Sequence, residues 1–235
     1  MIDGWAGRGG CSTLAHRGGA ALGPANSLVA VQRSVAAGAH AMELDLQELA
    51  DGSLVLHHDS SVLDGDTRVR LADLELDELQ RILPVAPPTL TSTVEALVRL
   101  GCGLYLDVKR VSYAGLLRAI EVVSASPLRD RTVVGSFDRA VAAQVVADGR
   151  LRASVLYRDV DLDPLQLQRT IGCSVVHPCF DDQPWMVDAL AGAWMDRVHA
   201  AGLRVVGWNT NEPTVLGAMR AAGFDALCTD DPRVA

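Results

Sequence analysis

Two acidic residues, Glu43 and Asp45, lie two positions apart in the apolar run 41–46. This run predicts a buried strand, and because side chains alternate across a strand, both carboxylates should project from the face opposite Met42 and Leu44. Like charges this close need a cation between them or must give up ionisation, and a divalent metal ion satisfies both. An exposed pair on an edge strand is the alternative, although the apolar neighbours favour the metal site.

A histidine follows the same stretch. The turn Asp51-Gly52 leads into a second apolar strand, Leu54–Leu56, and His58 comes just past its end. Catalytic groups of α/β folds gather at strand ends. Residues 39–59 therefore predict a metal site beside a histidine.

The composition limits the class of protein. The chain has 235 residues, 49% of them hydrophobic and 21% charged, which is enough for a large packed core. A net charge of −8 argues against nucleic acid or an anionic membrane as the main partner, so an anionic substrate would need a local cationic cluster. The cysteines number five and lack paired Cys-x-x-Cys spacing, so we interpret them as reduced thiols rather than zinc ligands or disulfides.

The N-terminal stretch has no apolar core typical of a signal peptide, and it carries an acid at Asp3. No apolar run approaches the ~20 residues that a spanning helix needs. We therefore expect no stable membrane insertion and a cytoplasmic location. The oligomeric state stays open.

Predicted strands and helices alternate along the chain. Eight strands are expected, with helices between them and without a Gly-rich dinucleotide loop, which favours an α/β fold of the parallel (β/α)8 type, a TIM barrel. We expect a single domain, 1–235, with a small insertion after the second strand. This insertion, at about 60–90, is interpreted as an excursion on the barrel rim with too few apolar residues for a core of its own.

Three helix boundaries are predicted from local signals. Asn26 should cap the helix that ends at Gly38, and Thr91 or Ser92 should cap the helix that runs to Leu100. A single helix is expected over 185–201.

Polar residues occur at or after the ends of most predicted strands, and in a barrel these positions face one mouth. Three acids on the second and third strands, two cations and two or more histidines at one mouth predict a metal site next to an anion site. The polar residues at these strand ends are His16, Arg17, Glu43, Asp45, Asp107, Lys109, Ser136, His177, Trp208, Asn209, Thr229 and Asp230.

Several ordered motifs share their residues and spacing with one protein family. They are His16-Arg17-Gly18, Pro24-Ala25-Asn26-Ser27, Glu43-Leu44-Asp45, Asp51-Gly52, His58-Asp59, Asp107-Val108-Lys109, Ser136-Phe137, Trp208-Asn209-Thr210-Asn211 and Thr229-Asp230-Asp231-Pro232. From about residue 14 to 233 the chain thus resembles the glycerophosphodiester phosphodiesterase family, within the superfamily of phosphatidylinositol-phospholipase-C-like phosphodiesterases.

The resemblance implies a barrel hydrolase of lipid and glycerol metabolism, one that uses Mg²⁺ or Ca²⁺ to cut glycerophosphodiesters into glycerol 3-phosphate and an alcohol. A cyclic phosphate intermediate, which water then opens, is part of what it implies. Residue by residue, it makes Glu43, Asp45 and Asp107 metal ligands, His16 and His58 the acid and base, and Arg17 and Lys109 phosphate contacts.

Three further residues are expected at the substrate pocket. Trp208 should form part of its wall, because an indole offers only a donor and an apolar face. Ser136 ends the fourth predicted strand, and His177 ends the sixth. A structural hydrogen bond explains His177 equally well.

The chain departs from the family pattern at three positions. Ala25 stands where glutamate is usual, Asp107 is one methylene shorter than the usual glutamate, and Asn209 often is threonine. The implied fold is unaffected, whereas substrate range or metal preference is expected to change.

Two other functions are considered. A lysophospholipase D type activity on a lysophospholipid would need an apolar groove, which could be lined by excursion leucines or by aromatic residues near the sixth strand. These residues are Leu74, Leu76, Leu79, Leu83, Phe180, Trp185 and Trp194. The other possibility is a phosphate-ligand binding barrel that lost turnover through Ala25 and Asp107.

Overall fold

The structure is a computed structural model that describes residues 2, 4–5, 10–83, 85–159, 161–179 and 185–235, without the side chains of 185 and 186. The strands are β1 (Ser12–Ala15), β2 (Ala41–Glu48), β3 (Leu54–Leu56), β4 (Ser61–Asp64), β5 (Thr67–Arg70), β6 (Gly103–Val108), β7 (Thr132–Ser136), β8 (Arg152–Tyr157), β9 (Val175–Pro178), β10 (Arg204–Gly207) and β11 (Ala226–Thr229). The α-helices are α1 (Leu28–Ala36), α2 (Leu76–Ile82), α3 (Leu90–Leu100), α4 (Tyr113–Ser124), α5 (Arg139–Asp148), α6 (Pro164–Ile171), α7 (Trp185–Leu190), α8 (Ala193–Ala200) and α9 (Pro213–Ala222).

Eight parallel strands close into a barrel in the order β1-β2-β6-β7-β8-β9-β10-β11, because β1 pairs with both β11 and β2. Helices connect most successive barrel strands, so the predicted TIM barrel is confirmed. β3 adds to β2 in antiparallel register, with Leu46 opposite Leu56. The end of β2 therefore carries its own hairpin, which brings the segment after β3 back to the barrel mouth.

Apolar side chains fill the barrel interior. Trp5 is 1% exposed, its ring meets that of Tyr105 edge-on with centroids 6.5 Å apart, and its Nε1 donates to the Arg131 carbonyl at 2.8 Å. Gly103 is required beside it, because a Cβ there would lie 2.3 Å from the indole. A larger apolar layer lies between the barrel and the helices.

The predicted helix boundaries need correction. Ser27 caps α1 by accepting from the Ala30 amide, so the prediction of Asn26 was wrong, and Thr89 rather than Thr91 or Ser92 caps α3. The expected helix over 185–201 is two helices, α7 and α8, separated at Gly192, which has a left-handed φ of 56°. Asn26 does not cap the helix because its side chain bonds elsewhere, as described below.

The excursion comprises the β4-β5 hairpin, a short 3-10 helix (Leu71–Asp73) and α2. Val62, Leu71, Leu74 and Leu79 of the excursion form a buried cluster together with Leu49 and Val55 next to the barrel. Its partly buried members include Leu76 and Leu83. The side chains of these leucines therefore pack within the excursion. None of the described helices is long and apolar enough to cross a membrane.

Candidate active site

Three carboxylates meet at the carboxyl ends of β2 and β6. Glu43 and Asp45 project from one face of β2, and Asp107 lies directly opposite Asp45 in the parallel register. All are at most 1% exposed, and one oxygen of each lies within 4.8 Å of one oxygen of the other two. The alternation of side chains along β2, combined with the register of β6, thus produces the cluster that the sequence predicts.

The cluster has free coordinating atoms. Glu43 Oε1 and Asp107 Oδ1 are buried and have no hydrogen-bond partner among the described residues. Buried carboxylate oxygens left without a donor are costly, and a hard divalent cation is the partner that oxygen ligands accept. The residues present therefore fit a metal ion such as Mg²⁺ or Ca²⁺.

Burial and mutual proximity shift the pKa values of the three clustered carboxylates. Burial raises the pKa of Glu43 well above its usual range, and the nearby Asp45 and Asp107 carboxylates add to the effect. Burial likewise raises the pKa of Asp107, to about 6, against the opposing charge of Lys109. The pKa of Asp45 is lowered, because Lys109 and a hydrogen bond from Asn26 outweigh its burial. Crowded acids of this kind gain most from a bound cation.

Lys109 lies between two of the acids. Its Nζ is 3.0 Å from Asp45 Oδ1 and also donates to Asp107 Oδ2. These carboxylates raise the pKa of Lys109 despite the opposing effect of its burial. The ammonium group therefore remains charged at the mouth, where it can contact an anion.

The segment after β1 supplies the second cation. Arg17 has a left-handed backbone (φ 49°), which is unusual for a residue with a side chain, and its amide donates to Glu43 Oε2 at 2.8 Å. Gly19 follows, where a Cβ would lie only 1.9 Å from Ser34 Oγ. The Arg17 Nε is buried without a hydrogen-bond partner in the described chain, 3.8 Å from Asp45 Oδ2. This strained turn both holds a metal-ligand candidate and presents a guanidinium.

His16 is held by an acid from the far end of the chain. Its Nδ1 lies 2.7 Å from Asp230 Oδ1, and Asn211 donates to Asp230 Oδ2 at 2.8 Å. Burial would raise the pKa of Asp230, but hydrogen bonds from His16, Asn211 and Asn209 outweigh it and lower this pKa to about 2. An ionised carboxylate on Nδ1 fixes the ring and leaves Nε2 for proton transfer.

His58 has a similar arrangement on the opposite flank of the cluster. Its Nδ1 lies 2.7 Å from Asp59 Oδ1, and Gln47 on β2 donates to its backbone carbonyl at 3.0 Å. The side chain of His58 is 39% exposed, so it is open to substrate. Each predicted catalytic histidine thus has a carboxylate partner.

Trp208 and His177 lie on the His16 side. Trp208 contacts His16 edge-on, with centroids 5.4 Å apart, and packs on His177 at 4.9 Å. His177 has no exposed surface, and neither ring nitrogen has a hydrogen-bond partner among the described residues. Burial lowers the pKa of His177 well below its usual range, so this histidine is neutral. Its location beneath Trp208 keeps it out of direct reach from the mouth.

Ser136 lies on the other side, at the end of β7. Its Oγ donates to the Val108 carbonyl at 2.8 Å and accepts from the Asp138 amide, so the hydroxyl is engaged in shaping the β7–α5 turn. It lines a cavity at the mouth together with His58 and Lys109.

The structure thus gathers most of the predicted site residues at one mouth, with His177 beneath it. One residue was missed as a site residue, because Asn26 was taken for a helix cap. Asp230 was expected at the mouth but not as the partner of His16, although its place just after β11, next to β1 in the barrel, was a usable signal. Among the candidate groove residues, Phe180 and the Trp185 side chain lie outside the described residues, and Trp194 packs against the main core.

Asn26 supports a metal-ligand candidate directly. It is 2% exposed with a left-handed φ of 59°, and its Nδ2 donates to Asp45 Oδ2 at 2.8 Å while its Oδ1 accepts from the Asp45 amide at 3.0 Å. Both bonds fix Asp45 relative to Glu43 and Asp107. Asn26 is therefore a positioning residue for the carboxylate cluster.

Replacing Asn26 should loosen metal binding. Loss of a group that holds a metal ligand typically costs about 10–100-fold in affinity, so Asn26→Ala should weaken Mg²⁺ or Ca²⁺ binding by that factor, measured by calorimetry. Asn26→Gly is the matched control, because glycine tolerates the left-handed backbone while removing the same bonds. Normal affinity in Asn26→Gly would show that backbone strain, rather than the bonds to Asp45, causes the defect.

The His16–Asp230 pair should make stability depend on acid pH. The pKa of Asp230 is about 2 in the folded protein, against an ordinary 3.8, so its contribution is complete above pH 4 and disappears as pH falls through 2. After solvent screening, we expect the ionised Asp230 to contribute about 1–2 kcal/mol to the free energy of unfolding, with about half of this contribution lost by pH 3. Urea unfolding of wild type and Asp230→Asn at pH 5 and pH 3 measures this. The expectation would be contradicted if the stability difference between wild type and Asp230→Asn were the same at both pH values. It would also be contradicted if Asp66→Asn, on the exposed hairpin turn, lowered stability with the same pH dependence.

The sequence profile of the glycerophosphoryl diester phosphodiesterase family matches residues 16–100. This segment includes the turn after β1, both acids of β2, and His58. A glycerophosphodiester phosphodiesterase of Caldanaerobacter subterraneus subsp. tengcongensis is 24% identical over 237 residues, which cover 93% of this chain and 93% of that protein.

Two further comparisons extend the match. Glycerophosphodiester phosphodiesterase 1 of Bos taurus is 33% identical over 140 residues, 54% of this chain and 42% of the relative, so the match spans less than half of the bovine protein. The solved structure of an Oleispira antarctica phosphodiesterase in complex with the product sn-glycerol-3-phosphate has a TM-score of 0.80 at 21% identity and covers 94% of both chains. That likeness shows a shared fold. The sequence matches add that the chain is similar, over residues 16–100, to the glycerophosphoryl diester phosphodiesterase family.

Proposed function

We propose that this protein hydrolyses glycerophosphodiesters to glycerol 3-phosphate and an alcohol, with a divalent metal ion, Mg²⁺ or Ca²⁺, held by Glu43, Asp45 and Asp107. The observation that carries the proposal is the buried carboxylate cluster, flanked by two histidines that each have a carboxylate partner. The Caldanaerobacter relative is named for this activity, and the Oleispira antarctica phosphodiesterase, which shares the fold, was solved with its product sn-glycerol-3-phosphate.

Charge neutralisation is the first requirement, because a phosphodiester anion repels nucleophiles. Arg17 and Lys109 supply cations on this chain, and the Arg17 Nε has no hydrogen-bond partner among the described residues that an incoming phosphate would have to displace. A bound metal ion would add Lewis-acid stabilisation of the phosphoryl charge. We assign Arg17 and Lys109 to the phosphate oxygens.

Proton transfer is the second requirement. One histidine takes the proton of the attacking hydroxyl, and the other gives a proton to the departing alkoxide. Asp230 and Asp59 keep the Nδ1 atoms of His16 and His58 engaged, so Nε2 is the nitrogen that each ring uses. Trp208 and Ser136 border the substrate in this proposal, and the buried His177 supports Trp208 from beneath.

The attacking group is proposed to be the glycerol 2-hydroxyl of the substrate itself. Its oxygen forms a bond to phosphorus as the bond to the alcohol oxygen breaks, which gives a cyclic phosphate and the free alcohol. Water then opens the ring to glycerol 3-phosphate, with the two histidines exchanging roles. An internal nucleophile of this kind gains the advantage of proximity.

A substrate analogue tests this step. A diester whose glycerol part lacks the 2-hydroxyl should be cleaved at least about 10²-fold more slowly, because the internal nucleophile is gone. The assay follows release of p-nitrophenol from matched p-nitrophenyl diesters with and without that hydroxyl. Equal rates for the two would mean that water attacks phosphorus directly.

The alternatives receive less support. Leu74, Leu76, Leu79 and Leu83 pack into one cluster. They are therefore less available to line an apolar groove for an acyl chain, which disfavours the lysophospholipase D type activity. The binding-only barrel has no use for histidines that are each fixed by a carboxylate.

Purified, chelator-stripped protein should first be assayed on glycerophosphocholine and on a lysophosphatidylcholine, with Mg²⁺, Ca²⁺ or Mn²⁺ added in turn and His16→Ala as the blank. We expect metal-dependent release of glycerol 3-phosphate from the first substrate. Cleavage of the lysophospholipid alone would favour the lysophospholipase D type activity. Binding without any cleavage would favour the binding barrel.

A further inference from the structure

A cavity of about 500 Å³ opens beside the carboxylate cluster. It is lined by residues that follow β3, β6 and β7, among them His58, Asp59, Lys109, Arg110, Phe137 and Asp138. None of its lining residues comes from the segments after β1, β9, β10 and β11, which carry His16 and Trp208. The cavity therefore opens on the His58 side of the cluster, and the Phe137 ring, which meets Trp208 edge-on with centroids 6.3 Å apart, marks its border with the His16 side.

The two flanks of the mouth differ in character. On the His16 flank, His16, Trp208 and His177 pack ring against ring. A closed surface of this type suits the part that all substrates of the proposed reaction share, which is glycerol. The cavity flank is wide, and apolar as well as polar groups line it, among them Phe137, which is 40% exposed. An open cavity of mixed lining suits the part that varies, which is the alcohol.

The charged side chains of the cavity differ in whether they already have a partner. Asp138 accepts from the Ala140 amide at the start of α5, and Asp59 accepts from His58, so each acid already has a partner. Lys109 is paired with Asp45 and Asp107. Arg110 is exposed, and its guanidinium has no ion pair within the described part of the chain. An incoming anion can pair with Arg110 without displacing an existing partner, whereas an incoming ammonium group would have to share Asp59 or Asp138.

We propose that this cavity binds the alcohol half of the diester and that Arg110 recognises an anionic group, a carboxylate or a phosphate, carried by that alcohol. This inference rests on the proposed function, because it assigns the alcohol side of the same phosphodiester site. Arginine suits both groups, because its planar guanidinium donates to two oxygens at once. Arg110 is thus a specificity residue and takes no part in proton transfer.

A matched pair of substrates tests the proposal. Glycerophosphoserine and glycerophosphoethanolamine differ only by the carboxylate on the alcohol. With Mg²⁺ present, the wild-type protein should favour glycerophosphoserine in kcat/KM by about two- to fivefold, as expected for one exposed charge pair. Arg110→Gln should abolish the preference, Arg110→Lys should retain part of it, and Arg99→Gln on the outer helix α3 should leave it unchanged.

Binding, measured by calorimetry on the same proteins, separates this inference from the proposed function. A wild-type preference for glycerophosphoserine that is lost in Arg110→Gln supports the inference, whether or not either diester is cleaved. Equal affinities, no detectable binding, or a preference that survives Arg110→Gln overturns it. Cleavage of both diesters at equal rates with equal affinities overturns the inference while leaving the phosphodiesterase function in place. A phosphate on the alcohol is tested by replacing the serine diester with one that carries a terminal phosphate.

Discussion

Alanine in place of His58 should lower kcat for a glycerophosphodiester by about 10²–10⁴-fold, the contribution that a positioned acid or base makes. The same loss is expected for His16→Ala, since the proposed reaction needs both groups. KM and metal affinity should change little, because neither histidine belongs to the carboxylate cluster. Steady-state kinetics, with calorimetry for the metal, gives both quantities.

The neighbouring His57 provides the matched control. Its Nδ1 lies 2.8 Å from the Asp59 carbonyl, a bond within its own loop, and its amide donates to the Asp45 carbonyl at 2.9 Å, a backbone bond that alanine keeps. His57→Ala should therefore retain most of the activity. If His58→Ala and His57→Ala lost activity equally, the loop rather than the His58 imidazole would be the important element. A His58→Ala protein within about threefold of wild type would refute the acid–base assignment.

Removal of the metal ion should have the second large effect. The site that Glu43, Asp45 and Asp107 form would supply several kcal/mol of transition-state stabilisation, so a chelator or Asp45→Asn should reduce turnover by at least about 10³-fold. Metal binding should also stabilise the fold, because it gives the buried Glu43 and Asp107 oxygens a partner. At a hundred times the dissociation constant we expect about 2.7 kcal/mol, or roughly 5–10 °C in Tm.

The rise in Tm on metal addition is the informative measurement, because a substitution can also change the Tm of the metal-free protein. Glu48→Gln is the control on the same strand. It removes the ion pair with Arg118, outside the cluster, so it should lower stability while keeping the rise on metal addition. Asp45→Asn should lose that rise. An undiminished rise in Asp45→Asn would place the metal elsewhere.

The barrel and the acid pair were predictable because both follow from short-range rules. Alternation along residues 41–46 places Glu43 and Asp45 together on one face, and parallel pairing then brings Asp107 opposite Asp45. Strand ends of a barrel share one mouth, which gathers the cations and histidines that the sequence singled out.

Contacts between distant segments were not predictable. Asp230 reaches His16 across 214 positions, and the sequence does not show which strand-end acid will meet which histidine. Asn26 looks like a cap because polar residues before an apolar helix usually are caps, yet a left-handed backbone turns it toward Asp45 instead. That Arg110 has no ion pair among the residues the structure describes could be seen only once the partners of Lys109 and of both cavity acids were known.

The measurement that tests the central claim most directly is phosphorus NMR of chelator-stripped protein with glycerophosphocholine, before and after addition of Mg²⁺ or Ca²⁺. The proposed mechanism predicts an unchanged diester signal without metal. After metal addition, the diester should be converted to glycerol 3-phosphate, and the conversion should stop again with excess chelator. Hydrolysis at full rate in the stripped protein, or phosphocholine as the product, would contradict it.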